Sequence, residues 1–294
     1  MVALSRTDQD AALIRYVAAV AHLGTAREVH FVHVMAEGAN VPPGSSHDQV
    51  LSELRATVRR HSKDMPDSVE TTCEVLTGPL TDQLLALAAE RQTGLLLLGH
   101  RIDPPGRKPL ARRLAMKAPC SVWMVPQDSK PVLKRILVPI DFSEPAADSL
   151  RVATSLAALS KGSECLAFHV YFNEAAITYE GYDHVLRGQE EQAFARFIAP
   201  INCHGVKVTP RFDEGANVAH VIARAVDRLQ ADLIVMATRG RSRSSSILLG
   251  SVAEEVILEA RVPILVVKHF GARLGVLQAL LDRRFRHQGD IRTD

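Results

Sequence analysis

Residues 231–259 read ADLIVMATRGRSRSSSILLGSVAEEVILE and place an apolar run, a loop and a helical pattern in direct succession. The run at 231–236 is short and continuous, as expected of a parallel strand buried on both faces. From Ser251 onward the spacing of apolar residues is helical. A loop that leaves the carboxyl end of a parallel strand and enters a helix presents backbone N–H groups and the positive end of the helix dipole. The segment therefore predicts a cradle for an anion such as phosphate.

Two glycines bound this loop, and each permits a positive φ and a close approach of backbone to ligand. Gly240 follows the strand, and Gly250 precedes Ser251, whose hydroxyl could contact the ligand. The S-x-x-E pattern from Ser251 to Glu254 also fits a capping box that would satisfy the helix's own donors. The arginines of the loop could neutralise phosphates or form a solvated surface; they are Arg239, Arg241 and Arg243.

The chain contains one pattern twice. The matching pairs of segments are 14–17 with 150–153, 32–34 with 168–170, and 118–125 with 260–267. Such self-similarity indicates one fold used twice. We call residues 1–128 the first copy and residues 132–270 the second copy, joined by a short polar linker. The remainder, 271–294, has leucines at helical spacing beside arginines. It predicts an amphipathic helix that docks on the protein itself or on a second subunit, in preference to a membrane or a foreign partner.

Strand and helix patterns alternate along the second copy. Strands are predicted at 135–139, 164–170, 207–212, 231–236 and 263–268, and helices at 145–160, 185–203, 217–229 and 251–260. This alternation predicts an α/β protein of two tandem domains, each a five-stranded parallel, doubly wound, Rossmann-like sheet with helices on both faces. Ligands of such sheets bind at the carboxyl edges of the strands, near the switch in strand order.

Composition gives no bulk signal for a charged partner. The 294 residues are 47% apolar and 23% charged with a formal charge of +2, which does not favour nucleic acid or an anionic membrane. The four cysteines are scattered and lack a CxxC pair, which favours buried, reduced thiols over a zinc site or disulfides. Neither a membrane-spanning run nor a secretory leader is recognisable. The sequence thus predicts a cytoplasmic protein.

The segment after the first strand of the second copy, 139–144, reads PIDFSE. Asp141 could accept hydrogen bonds from a ribose or an adenine amine, or else Asp141 or Ser143 could cap the helix that begins near Pro145. His33 and His169 occupy matching strand ends, where a hydrogen-bonded edge histidine is expected in preference to a metal ligand. With no Walker-type loop, no nucleophile beside a base and no paired carboxylates, the sequence does not predict an enzyme.

Taken together, 138–144 (VPIDFSE), 168–170 (FHV) and the G-x9-G-[ST] pattern ahead of 263–267 (PILVV) resemble the universal stress protein family over nearly the whole chain. ATP-binding members use a G-x2-G-x9-G-[ST] signature. The resemblance implies a stress-response regulator that binds ATP, with or without magnesium, in its second copy. It implies contacts from Asp141 and Val170 to adenosine. The remaining implied site residues are Pro139, Ile140, Met236, Ala237, Arg239, Gly240, Gly250, Ser251 and Val252.

Both copies depart from this signature. In the second copy Ala237 replaces the first glycine, which costs on the order of 1 kcal/mol or more only if its φ is positive. The first copy has Ser5 for the aspartate, Ile102 for the second glycine and Lys108-Pro109 for Gly-Ser. We therefore predict that the first copy does not bind ATP and packs on the second as family domains do in dimers, giving an intramolecular pseudo-dimer or a homodimer. The alternatives are a nucleotide-free scaffold, with the protein partner unknown, and a weak ATPase.

Overall fold

The computed structural model describes residues 1–23, 26–35, 46–100, 110–172, 182–240 and 249–268, with only the backbone for 182–186. The chain divides into two compact units, the first within Met1–Pro131 and the second beginning at Val132. They correspond to the first and second copies. The predicted helix in 271–294 lies outside the described residues. Among those described, no helix combines the length and apolarity needed to cross a bilayer.

The first copy alternates strands and helices throughout. Its elements are β1 (Val2–Leu4), α1 (Gln9–Ala21), β2 (Glu28–Met35), α2 (His47–His61), β3 (Glu70–Thr77), α3 (Leu80–Glu90), β4 (Leu95–His100), α4 (Leu110–Lys117) and β5 (Ser121–Pro126). The strands pair in the order β3-β2-β1-β4-β5, all parallel. Trp123, the only tryptophan of the chain, is buried in this copy against Tyr16, with the ring centroids 5.9 Å apart.

The second copy repeats this architecture. Its elements are β6 (Arg135–Pro139), α5 (Glu144–Leu159), β7 (Glu164–Tyr171), α6 (Tyr182–Ile198), β8 (Val208–Glu214), α7 (Val218–Leu229), β9 (Leu233–Ala237), α8 (Ser251–Glu259) and β10 (Ile264–Val267). The strand order is β8-β7-β6-β9-β10, again all parallel. The predicted fold class, two α/β domains with five-stranded parallel sheets, is confirmed.

This strand order fixes where a ligand can bind. From β6 the chain builds outward through β7 and β8, then returns to place β9 on the other side of β6. The connections that leave the carboxyl ends of β6 and β9 consequently run in opposite directions. They leave a crevice at this switch in strand order. The central residues of β6, Ile136 to Val138, are fully buried, so the two strands form a rigid floor below the loops that follow them.

Two predicted boundaries shift for local reasons, and one strand contains a proline. Helix α6 ends at Ile198 rather than 203, because Pro200 cannot continue it. Strand β9 begins at Leu233 rather than 231, because Gln230 ends α7 in the left-handed conformation, φ 52°. Strand β8 contains Pro210, which an edge strand tolerates.

The prediction that the cysteine thiols are buried is confirmed for two of the four cysteines. Cys120 and Cys165 are buried, whereas Cys73 and Cys203 are half-buried, and all are free. Burial raises the pKa of Cys165 to about 12. This keeps the thiol protonated and unreactive at neutral pH.

Candidate functional site

The turn after β6 places Asp141 at the crevice. Phe142 adopts the left-handed conformation, φ 62°, which reverses the chain into α5. The Oδ1 atom of Asp141 accepts hydrogen bonds from the backbone N–H of Ser143, at 3.1 Å, and from the Ser143 hydroxyl. Ser143 is itself the N-cap of α5, since its Oγ accepts from the Ala146 N–H at 3.4 Å. The cap is thus Ser143, and Asp141 stabilises the turn.

The second carboxylate oxygen of Asp141 faces Gly240 at the end of the β9 loop. A Cβ atom built on Gly240 would overlap Asp141 Oδ2. The backbone φ of Gly240 is not positive. Gly240 therefore does not use the positive φ that a glycine permits; its missing side chain leaves the space that the carboxylate occupies.

Ala237 fits its position without strain. It is the last residue of β9 and pairs in parallel register with Val267. Its φ is not among the positive values. An extended strand accepts any L-residue, so the methyl group that replaces the first signature glycine carries no backbone cost.

The helix after the loop begins one residue earlier than a capping box at Ser251 requires. Gly250, with φ −72° and ψ 150°, is the N-cap of α8, and Ser251 is its first helical residue. The Gly250 N–H donates to the Thr238 carbonyl at 2.7 Å, which fixes this geometry. The alternative of an S-x-x-E capping box at Ser251 is therefore wrong, and Gly250 does not use the positive φ that a glycine permits. Because an α-helix leaves its first N–H groups without intrahelical acceptors, the amides at the start of α8 are available to a ligand.

A cavity of about 310 Å³ lies between these elements. All the site residues implied by the resemblance line it: Pro139, Ile140, Asp141, Val170, Met236, Ala237, Arg239, Gly240, Gly250, Ser251 and Val252. The sequence interpretation missed further lining residues: Ala146, Phe168, His169, Val218, Ile222, Thr238 and Ala253. Helical spacing could have revealed Val218 and Ile222, which are four residues apart on α7. Arg241 and Arg243 lie outside the described residues.

Charge is distributed unevenly around the cavity. Asp141 lies at the β6 side, and Arg239 and the N-terminus of α8 lie at the β9 side. The N-terminal residues Ala146 of α5 and Val218 of α7 also line it. Carboxylate acceptors at one side and amide donors with a cation at the other suit a ligand that carries hydroxyl or amine groups at one end and an anion at the other.

His169 forms part of the wall and is held by the protein itself. Its Nδ1 lies 2.7 Å from the Ile140 carbonyl, its Nε2 lies 3.4 Å from Glu190 Oε2, and its ring lies 4.4 Å from that of Phe142. In the first copy, His33 Nδ1 makes the same contact with the Leu4 carbonyl at 2.9 Å. Both are hydrogen-bonded edge histidines, as predicted. No group of three potential metal ligands occurs in the part of the chain that the structure describes.

At the matching edge of the first copy, a carboxylate arrives from a different position. Asp10, on α1 and buried, accepts from the N–H of Ser5 at 2.9 Å and of Arg6 at 2.7 Å. Its counterpart in the second copy is Ala146, which lines the cavity. Both Asp10 oxygens thus accept hydrogen bonds from the turn itself. Ile102, Lys108 and Pro109 lie outside the described residues.

Comparison with known proteins identifies the fold used twice. The model of the universal stress protein family matches residues 1–126 and 133–268. A universal stress protein of Methanocaldococcus jannaschii is 31% identical over 143 residues, 46% of this chain and 82% of that protein. One from Thermus aquaticus is 32% identical over 143 residues, 47% of this chain and 100% of that protein.

A solved structure supports the same fold. The crystal structure of a universal stress protein from Archaeoglobus fulgidus aligns with a TM-score of 0.64 and 18% identity, covering 91% of this chain and 97% of its own. At this identity the likeness concerns the fold. Together with the two family matches, it leads to one conclusion: the chain belongs to the universal stress protein family and contains two copies of its domain.

Proposed function

We propose that the second copy binds ATP in the cavity between β6 and β9 and that the protein is a regulator of the stress response in which occupancy of this site is the signal. The observation that carries this proposal is the placement of a carboxylate and an uncapped helix N-terminus across one cavity, at the switch in strand order.

The two sides of the cavity suit the two ends of a nucleotide. Asp141 Oδ1 is held by Ser143, which orients the carboxylate so that Oδ2 faces Gly240. An ionised carboxylate accepts only, and ribose hydroxyls and the adenine amine donate. At the other side, the first amides of α8 and the Arg239 guanidinium suit phosphate oxygens.

The size of the cavity agrees with a small-molecule site. Its volume of about 310 Å³ falls at the lower end of the range of roughly 300–1,000 Å³ for ligand pockets. The apolar residues Val170, Met236 and Ile222 on its walls suit the faces of a base. The phosphates would then extend toward Gly250 and Ser251.

We propose a binding role in preference to catalysis. Among the described lining residues, the titratable groups are Asp141, His169 and Arg239. Asp141 and His169 are both hydrogen-bonded within the protein. The hydroxyl beside Asp141, that of Ser143, is engaged as the N-cap of α5, where it donates to Asp141 and accepts from the Ala146 N–H. A magnesium ion, if required, would arrive with the phosphates.

Titration calorimetry with ATP, with and without magnesium, tests the proposal. The parent protein is expected to show saturable binding, and Asp141→Asn to weaken it at least about tenfold, since it removes a charged acceptor. Glu191→Gln is the matched control, because it removes one charge from the exposed face of α6. Absence of saturable binding by the parent at millimolar ATP contradicts the proposal and leaves a scaffold whose function lies in its surfaces.

A further inference from the structure

The outer edge of the first copy carries a second site, unrelated to the nucleotide cavity. Strand β3 is the last strand of the sheet order. A groove of about 630 Å³ runs beside it, lined by residues of α2, β2, β3 and the end of α3. Among the described strands, β3 thus pairs only with β2, and the groove lies along its other side.

Part of the β3 backbone that borders the groove has no hydrogen-bond partner among the residues that the structure describes. The N–H groups of Glu70 and Gly78 donate to the Arg27 and Met35 carbonyls beside β2, each at 2.9 Å. Because inward and outward groups alternate along a parallel strand, those of Thr71 and Cys73 point away from β2. Both residues line the groove. Farther along, the Val75 carbonyl accepts from His47 Nε2 at 2.9 Å, so the open part of the edge ends there.

Arginines lie on both sides of this open edge. Arg55 and Arg59, four residues apart on α2, line the groove and form no salt bridge with any described residue. Arg91 lines the opposite side, where its guanidinium lies 3.0 Å from Glu74 Oε2. Glu74 is also held by His30 Nε2 at 2.8 Å. The acidic group of the groove is thus engaged within the protein, whereas two cationic groups are not.

We propose that this edge docks an extended acidic segment of a partner protein, which adds a strand beside β3 and places carboxylates against Arg55 and Arg59. An added strand supplies both donors and acceptors, as the outward N–H and C=O groups of Thr71 and Cys73 require. A free anion would supply acceptors only, and the outward carbonyls would repel it. Successive side chains of a strand alternate between faces, so every second residue can meet the arginines.

The positive charges of Arg55 and Arg59 also disfavour the docking of segments that are not acidic. Charged side chains beside an edge discourage uncontrolled pairing between sheets. Arginines do so for neutral and cationic segments, while they attract a segment with carboxylates at alternate positions. The proposal concerns the first copy alone and does not depend on ATP binding by the second.

Fluorescence anisotropy with two labelled, end-capped octapeptides provides the test. One alternates Glu and Val, and the other alternates Lys and Val. We expect saturable binding of the Glu-Val peptide and none of the Lys-Val peptide. The double substitution Arg55→Glu with Arg59→Glu is expected to weaken binding at least about tenfold, because two charge-assisted contacts become repulsive. N-methylation of alternate amides of the Glu-Val peptide is expected to abolish binding, since it removes the strand donors.

A matched control distinguishes the effect of the groove arginines on peptide binding from the effect of the net charge of α2. The double substitution Arg60→Glu with Lys63→Glu makes the same change of charge at and just after the end of α2, outside the groove. It is expected to change the affinity less than about threefold. Unfolding followed by Trp123 fluorescence verifies that each variant folds. Equal binding of both peptides, an equal effect of the control, or tighter binding of single-stranded DNA with the same dependence on Arg55 and Arg59 would overturn the proposal.

Discussion

The carboxyl edges of the two copies have the same backbone turn and the same histidine contact. They differ in the residue that supplies a carboxylate at this edge. The turn after the first strand of each copy contains a left-handed residue, Arg6 at φ 59° and Phe142 at φ 62°. In each copy, a histidine of the second strand bonds to the carbonyl two residues before this left-handed residue, that of Leu4 or Ile140. In the first copy the carboxylate comes from α1, where Asp10 accepts from the turn with both oxygens, whereas in the second it comes from the turn itself, where Asp141 Oδ1 accepts from Ser143 and Oδ2 lies against Gly240. The fold of this edge is thus independent of the position that supplies the carboxylate.

The largest effect is expected from Gly240→Ala. The new Cβ would overlap Asp141 Oδ2, so the carboxylate must turn away and lose its place at the cavity. We expect ATP affinity to fall about a hundredfold, near 3 kcal/mol, with little change in stability. Calorimetric titration measures this. Gly188→Ala on α6 is the control, because its Cβ meets nothing within 4 Å; unchanged affinity in Gly240→Ala contradicts the assignment.

The converse change, Asp10→Ala, is expected to destabilise the first copy without affecting ATP. It removes the acceptor of the Ser5 and Arg6 amides, and leaving such groups unpaired costs about 2 kcal/mol. Urea unfolding followed by Trp123, which lies in the first copy, reports the loss. Asp8→Ala, an exposed cap residue whose side chain makes no cap bond, should stay within about 0.5 kcal/mol. A large change in ATP affinity for Asp10→Ala would break the comparison.

A smaller effect is expected from Ala237→Gly, which restores the first signature glycine. Since Ala237 is an extended strand residue, glycine relieves no strain and adds backbone entropy to the unfolded state. We expect a loss of about 0.5–1 kcal/mol in stability. ATP affinity should change less than about threefold, or about 0.6 kcal/mol. Thermal unfolding and titration measure the two quantities, and a tenfold gain in affinity would show that the methyl group obstructs the site.

The smallest expected effect is a pH dependence of the stability of the first copy. It arises from a buried histidine that the second copy lacks. Burial lowers the pKa of His30 in the first copy, a shift that hydrogen bonding to Glu74 partly opposes; the matching residue of the second copy is Leu166. The folded state therefore favours neutral His30. Stability from this group is present above the ordinary histidine pKa of about 6.5 and decreases as the pH falls through it.

Unfolding followed by Trp123 at several pH values from neutral to mildly acidic tests this expectation. The parent should lose stability as the pH falls, and His30→Leu should show a weaker dependence. Arg91 and Glu74 remain paired in that variant, which keeps the surrounding charges constant. An identical pH dependence in both proteins would assign the effect to other groups.

Periodicity and motif spacing predicted much of this arrangement. Alternating strand and helix patterns gave the fold class, and the family resemblance carried by the segments around the β6, β7 and β9 strands implied the site residues that line the cavity. These succeed because a parallel sheet gathers the ends of its strands at one edge. The role of Gly240 was not predictable, because it depends on the space taken by Asp141, which is distant in sequence. The contact of Asp10 with the first-copy turn was also not predictable, because α1 approaches this turn only in the folded chain.

The stoichiometry of ATP binding to the intact chain tests the central claim most directly. If the second copy alone has a competent edge, calorimetric titration will give one ATP per chain in the parent and in Asp10→Ala, with the affinity lowered about a hundredfold in Gly240→Ala. Two ATP per chain, or unchanged affinity in Gly240→Ala, would contradict the account.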